Sequence, residues 1–384
     1  MIPYKEINVL VLDGAGRQAL PILADLYKLG CIITVVCTSK LDVGYNSRYS
    51  TYRILTDKAI YEENMANGII NKEIYSNKYD VVIPLSDLST QHIVMHLDEY
   101  SKYAKFPIPD YSVFMKAYDK QKTMNICRDF GIPCTFTKKE DESFEEFITD
   151  IGYPIVVKPK SACGSIGFNV IRDYKQWNEF LNVNDLNDYV VQEYVEQNGR
   201  QFNVHMFVDG DQNVIFDVAT EKCRWFPIDG GASCFCRTID MPELVIQCTK
   251  LLKAIKWKGY CEIELIEDKK NNTFKVIEIN GRTSASIKIC HLCGVNVAKN
   301  MIELACDKNV TSQRKGHIDV RMRCLHTDTL WLLGSKMRFK TKPSWFNCRH
   351  THDQIFSILD PIPFFTFTIQ SIMKYKKEIK KRKR

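Results

Sequence analysis

The sequence predicts an N-terminal α/β domain followed by a mixed α and β region. Three observations predict it. Apolar strand-like runs alternate with helix-periodic stretches through residue 103, as in a parallel sheet with helices on its faces. Pro107 and Pro109 punctuate the end of that alternation. Beyond them, apolar runs come in pairs across polar turns, at 189–208 and 259–280, as antiparallel hairpins do.

The first strand is residues 7–13, INVLVLD. It runs into a small-residue turn, Gly14 to Ala19, then a helix over 19–29 that Gly30 closes, then a strand over 31–37. The pattern G-x-G-x-x-A after a strand invites a dinucleotide and a nicotinamide oxidoreductase. An acid should then end the second strand to hold the ribose, but residues 37–40 read CTSK, so the turn is read as close helix–strand packing. A strand at 81–84 ends in Ser86 and Asp87, and a helix is expected over 91–103. One helix is expected over 111–130, stopped by Gly131 and Pro133. These boundaries divide the chain into 1–110, 111–310 and a C-terminal extension, 311–384.

Composition narrows the class. The 384 residues suffice for two or three domains with proper cores. At 45% hydrophobic and 26% charged, the chain is a folded globular protein rather than a disordered one. No run of eighteen apolar residues appears, so no transmembrane helix is expected. The N-terminus enters a strand directly, so no secretory leader is expected, and fifteen scattered cysteines suit reduced thiols in the cytoplasm. The net charge of +7 is concentrated at one end. Residues 374–384, KYKKEIKKRKR, hold eight basic residues and one acid, and the rest of the chain carries 45 of each sign. A nucleic-acid groove over the body is therefore not expected.

Chemistry concentrates in 259–286, GYCEIELIEDKKNNTFKVIEINGRTSAS. Glu278 and Asn280 are two apart and share one face of a strand. Glu264 precedes them on a partner strand, across a turn at 268–273. Three oxygen ligands on one hairpin face suit a hard divalent cation such as Mg²⁺, and Arg282 follows close enough to address an anion held there. Upstream, the strand 154–158 ends in Lys158, and a loop of small residues follows over 161–167. Small residues let backbone N–H groups wrap phosphate oxygens, and the lysine adds charge to the same anion. The stretch 192–195 offers a strand-end edge of backbone groups for a nucleobase.

In this order the motifs resemble an ATP-grasp domain over residues 118–304: YDKQKT with GIPCTFT, YPIVVKPKSACGSIG, VVQEYVEQNGRQFNV, and IEL with VIEINGR. The segment VLDGAGRQALPI is similar to the first turn of the Rossmann-like pre-ATP-grasp domain that precedes it in that superfamily. The resemblance implies two α+β subdomains gripping a nucleotide. It implies ATP with Mg²⁺ or Mn²⁺ as cofactors, Lys120 and Lys158 on the phosphates, and Ser161, Gly164, Ser165 and Gly167 in a flap over them. Adenine would meet backbone groups of Gln192, Glu193 and Val195, and Gln201 would meet the ribose, where the family usually has glutamate. Glu264, Glu278 and Asn280 would hold the metal. Arg282 and Lys158 would be catalytic, and Gly281 stands where the family has proline.

The implied reaction is a ligation in which a carboxylate becomes an acyl phosphate and then joins an amine, as in amino-acid, peptide or cell-surface polysaccharide modification. No essential cysteine is expected. Lys222, Arg224 and Gly231, between the nucleotide and metal hairpins, are the expected substrate contacts, with Arg17, Ser86 and Asp87 closing over the cleft. Superfamily members often pair, so a homodimer is expected. A nucleotide-binding scaffold without catalysis is the alternative reading. Cys290 and Cys293 have metal-like spacing, but they lie in an apolar helical stretch and read as core; Cys348, His350 and His352 are treated alike. The aromatics of 329–384 and the basic end suggest peripheral contact with the inner face of a membrane.

Overall fold

A computed structural model describes residues 4–56, 68–161, 167–228, 231–313 and 319–382, with side chains to 373. The first sheet is parallel: β1 (Asn8–Val11), β2 (Ile32–Cys37), β3 (Tyr52–Leu55) and β4 (Val81–Ile83) lie in the order β3-β2-β1-β4. The turn after β1 is packed as expected. A Cβ added at Gly14 would lie 2.6 Å from Val35 and from Cys37, so only glycine fits against β2.

Two helices differ from the sequence reading. The stretch expected to be one helix over 91–103 is Asp87–Met95 and then Leu97–Tyr100. Ser86 caps the first of these with a reciprocal bond to Ser89, which starts it earlier than expected. The helix expected over 111–130 is broken into Tyr111–Tyr118 and Lys120–Asp129. Asp119 is extended between them, and its carboxylate accepts the N–H groups of Gln121 and Lys122. That cap matters for function, because it makes Lys120 the first residue of a helix.

A three-stranded antiparallel sheet follows, β5 (Ile155–Pro159), β6 (Asn169–Ile171) and β7 (Tyr189–Glu193), in the order β6-β5-β7. It has its own small core of Phe147, Ile155, Val157, Trp177, Phe180 and Val191. The large sheet comprises β8 (Gln201–Val208), β9 (Val214–Phe226), β10 (Ala232–Thr238), β11 (Gly259–Asp268), β12 (Thr273–Asn280), β13 (Arg321–Arg323) and β14 (Thr351–Asp353), ordered β12-β11-β8-β9-β10-β13-β14. The helix Pro242–Ile255 packs on it through Leu244, Cys248, Leu251 and Leu252.

The C-terminal extension is built into this architecture. β13 and β14 add two strands to the large sheet, and the closing helix Ile362–Arg382 rests on the first domain. Asp360 accepts from Ser47 Oγ at 2.6 Å, and Gln370 donates to Asp42 at 2.8 Å. Cys290 and Cys293 are buried in the core, and their neighbour His291 pairs with Asp25. Among the described residues no group of His, Cys, Asp and Glu is assembled to bind a metal.

Candidate functional site

Antiparallel pairing of β11 with β12 sets Glu264 opposite Glu278 and Glu262 opposite Asn280. Because side chains alternate along a strand, all four share one face. The face continues onto β8, where Asn203 lies opposite Glu264 and His205 opposite Glu262. On β9, Lys222 lies opposite Gln201. The polar face is therefore four strands wide, and the small sheet and the helix starting at Lys120 bring further lysines to it.

Each of the three expected metal ligands has a cationic group against its oxygen. Lys222 Nζ sits 2.5 Å from Glu264, Lys120 Nζ 3.3 Å from Glu278, and Arg282 donates to Asn280 Oδ1 at 3.1 Å. Lys158 reaches the same place from β5, its Nζ donating to the Ile277 carbonyl at 3.4 Å. Two backbone features fix the lysines. Lys120 N–H donates to the Lys160 carbonyl, which ties the helix start to the end of β5. Lys158 stands in the ladder opposite Val190 of β7.

Burial governs the titration here. It pushes Lys158 down to about 8, an effect that nearby Glu278 opposes and Lys120 reinforces. Burial also works against the charge on Lys222, but the Glu264 carboxylate raises that lysine above its ordinary value. Burial raises Glu264 itself, although Lys222 opposes the shift. Against the same penalty, Lys120 and Lys158 hold Glu278 below the usual carboxylate range.

Two glutamates and an asparagine amide are hard oxygen donors, the set that suits magnesium. A further buried oxygen, Asn203 Oδ1, lies on the strand beside Glu264 and has no hydrogen-bond partner. The donor chemistry fits a divalent cation. With each donor now turned to a cationic group, such an ion would displace those contacts.

Arg282 links the two halves of the molecule. Its Nε donates to Asp87 of the first domain at 3.0 Å. Asp13 holds the Asp87 turn by accepting the N–H groups of Leu85 and Ser86, and Thr283 Oγ1 donates to the Leu85 carbonyl. Gly281, between Asn280 and Arg282, packs on an indole: a Cβ there would lie 2.7 Å from Trp257 Cη2. Glycine at a position where the resemblance expects proline thus goes with that close contact.

Several expected site residues are placed otherwise. Arg224 is fully buried away from any cleft, bonded through Nε and Nη2 to Asp328 at 2.6 and 2.9 Å and through Nη1 to the Pro343 carbonyl. Its guanidinium stacks over Phe235. Arg224, expected as a substrate contact, stands in a core ion pair with Asp328, and none of its side chain faces solvent. Gln192 lies in β7 with its side-chain amide buried and donating to Thr135 and Thr137, so it is backbone groups that this stretch offers a ligand. The Glu193 N–H is taken by the Phe136 carbonyl, and its carboxylate holds Lys275 at 2.6 Å. Val195 follows β7 outside the ladder.

Gln201 opens β8 and donates to Gln197 at 2.7 Å. Gly231 lies just before β10, where a Cβ would collide with Phe226. Arg17 turns toward Cys324 Sγ, 3.6 Å away. Ser161 is exposed and Gly167 has a positive φ of 72°; Gly164 and Ser165 lie outside the described residues.

Sequence reasoning missed Glu262, Asn203 and His205. Ser286 donates to Glu262 at 2.7 Å, and Tyr260 joins His205 to Ser284. Burial lowers His205 below its ordinary value. The signal was available for Glu262, which lies two residues before Glu264 on the same strand.

Residues 117–286 match the family described as ATP-grasp domain. A carbamoyl phosphate synthase large chain from Thermoanaerobacter sp. is 23% identical over 331 residues, 79% of this chain and 30% of that protein. The chain thus spans under a third of that relative. The biotin carboxylase domain of 2-oxoglutarate carboxylase from Hydrogenobacter thermophilus, solved as a dimer with MgADP, ADP and bicarbonate, superposes with a TM-score of 0.64 at 18% identity, over 81% of this chain and 71% of that one. An L-amino acid ligase from Bacillus licheniformis gives 0.60 at 17%, over 78% and 74%. With the acid hairpin, the converging lysines and a parallel first domain in place, residues 117–286 of this chain are an ATP-grasp domain.

Proposed function

We propose that the protein is an ATP- and Mg²⁺-dependent ligase that activates a carboxylate as an acyl phosphate and joins it to an amine. The observation that carries this reading is the pairing of Glu264 with Glu278 across β11 and β12, with Lys120, Lys158 and Lys222 turned toward them. Glu264, Glu278 and Asn280 would hold the metal, which when bound draws charge from the phosphate oxygens. Lys120 and Lys158 would then pass from carboxylate to phosphate. The site is an electrostatic exchange in which internal pairs hold the charges until ligand charges replace them.

A substrate carboxylate attacks the γ-phosphorus, ADP leaves, and the acyl phosphate is attacked by an amine that expels phosphate. Little covalent chemistry falls to the protein, so positioning and charge carry the rate. Arg282 is the group for the acyl phosphate and its tetrahedral successor. Asp87 occupies Arg282 until a substrate anion takes its place, which gives the first domain a part in substrate entry. Lys222, on β9 and beside Glu264, is the residue for the substrate side. Adenine would meet the Glu193 carbonyl and Val195, and Gln201 the ribose. Ser161, Gly164, Ser165 and Gly167 would cover the phosphates. Pairing into a homodimer is part of the proposal, supported by the dimeric carboxylase neighbour. So is peripheral contact with the inner face of a membrane, supported by the basic run at 374–384; among the described residues no helix is long and apolar enough to cross one.

The test is ADP release from Mg-ATP across a panel of carboxylates with hydroxylamine as the amine. A carboxylate-dependent rate with hydroxamate formed is expected. Binding of Mg-ATP with neither ADP release nor hydroxamate for any acid would favour the nucleotide-binding scaffold.

Lys158 supplies a second expected result. Its ordinary lysine value is lowered by burial to about 8. Below that pH it is charged before and after nucleotide binds. Above it, and below the ordinary value, it is neutral alone and recharged by phosphate. Calorimetry at pH about 9, in buffers of different ionisation heat, should show net proton uptake on ATP binding, absent in Lys158→Met.

A further inference from the structure

The closing helix Ile362–Arg382 has two faces, and only one is packed. On the inner face Gln370 donates to Asp42, Thr368 meets His326 at 2.8 Å, and Phe364 and Phe367 ring the same imidazole. On the outer face Ile362, Phe365, Ile369 and Ile372 fall at intervals of three and four residues, with Met373 beside them. These five are 50 to 73% exposed. A continuous apolar stripe of this length is unusual on a soluble surface and marks an interaction site. From Pro361 to Met373 the sequence has no charged residue, and from Lys374 onward it has eight basic residues and one acid.

We propose that this outer stripe inserts into the headgroup–acyl boundary of an anionic membrane, with the basic run that follows lying against the acidic headgroups. The inference rests on the membrane contact proposed above and deepens it: the contact is an amphipathic helix lying in the interface, not a tail held by charge alone. An apolar stripe continued by clustered lysines and arginines is the pattern that binds such a surface. The helix is too polar to span, so it lies in the plane. Charge complementarity selects this occupant over a second copy of the chain. Two stripes packed together would bring two basic runs and no acidic partner for either. Gln370 of the helix and Asp360 just before it are held to the first domain by Asp42 and Ser47, so insertion would fix the whole protein at the bilayer.

The experiment is co-sedimentation of the full chain with vesicles of phosphatidylglycerol and phosphatidylcholine in equal parts, and with phosphatidylcholine alone. Three proteins are compared: wild type, the triple variant Phe365→Ser/Ile369→Ser/Ile372→Ser, and a chain ending at 373. The triple variant changes exposed side chains only, and circular dichroism checks its fold. Wild type should bind the anionic vesicles and not the neutral ones. The triple variant should bind on the order of tenfold more weakly, and truncation should weaken binding by about a hundredfold or more. If truncation abolishes binding and the triple variant binds like wild type, the tail contact stands and the stripe insertion is overturned. If wild type ignores anionic vesicles, both are overturned. A triple variant that converts a dimer to a monomer while vesicle binding is unchanged also overturns it, and assigns the stripe to a second copy.

Discussion

Glu278→Gln is expected to lower substrate-dependent ADP release by a factor of about a hundred to a thousand, or roughly 3–4 kcal/mol of transition-state stabilisation. Glu278 is the centre of the charge arrangement. It faces Glu264 across the hairpin, accepts Lys120 at 3.3 Å, and is held ionised by Lys120 and Lys158 against its burial. The amide has nearly the same shape and keeps the strand pairing, so secondary structure should be unchanged. It lacks the charge that would anchor a divalent cation and that pairs Lys120 before nucleotide arrives. Turnover in the variant equal to wild type would remove Glu278 from the site.

Asp328→Ala should produce the largest loss of stability, about 3–5 kcal/mol, because it leaves the Arg224 guanidinium buried without its counter-ion. Both side chains are fully buried, and two donors of the arginine end on Asp328. The pair joins β9 to the helix Leu325–Gly334 of the C-terminal extension, so the loss should appear in denaturant unfolding. Adding Arg224→Met to Asp328→Ala should recover part of it, since the stranded charge is then gone and the apolar side chain fills part of its place. If Arg224 were a substrate contact instead, Arg224→Met alone would raise KM and leave unfolding unchanged.

Much of this arrangement was legible in the sequence because it is written in short periods. Two-residue spacing put Glu278 and Asn280 on one face, and the turn-rich 268–273 segment fixed Glu264 opposite them. The turn after β1 was also legible, since the missing ribose acid argued for packing and Gly14 is packed. What the sequence did not reveal depends on contacts far apart in the chain. Arg224 in a loop-like stretch with two glycines suggested a flexible anion site. Its partner lies 104 residues later, and only the fold makes the segment a buried strand. The Asp119 break was hidden because helical periodicity continues through it, while the cap that ends one helix and starts the next is a local side-chain bond. Asn203 and His205 escaped notice because their apolar neighbours made β8 read as a plain core strand.

The central claim is that one hairpin face holds a divalent cation against a nucleotide whose phosphates are met by lysines from two other elements. The most direct test is the electron paramagnetic resonance spectrum of Mn²⁺ with ATP, titrated with wild type and with Glu264→Gln/Glu278→Gln. The account predicts a bound-metal spectrum that needs both nucleotide and wild-type protein and that the double variant loses. Equal binding of Mn-ATP by the two proteins would contradict it.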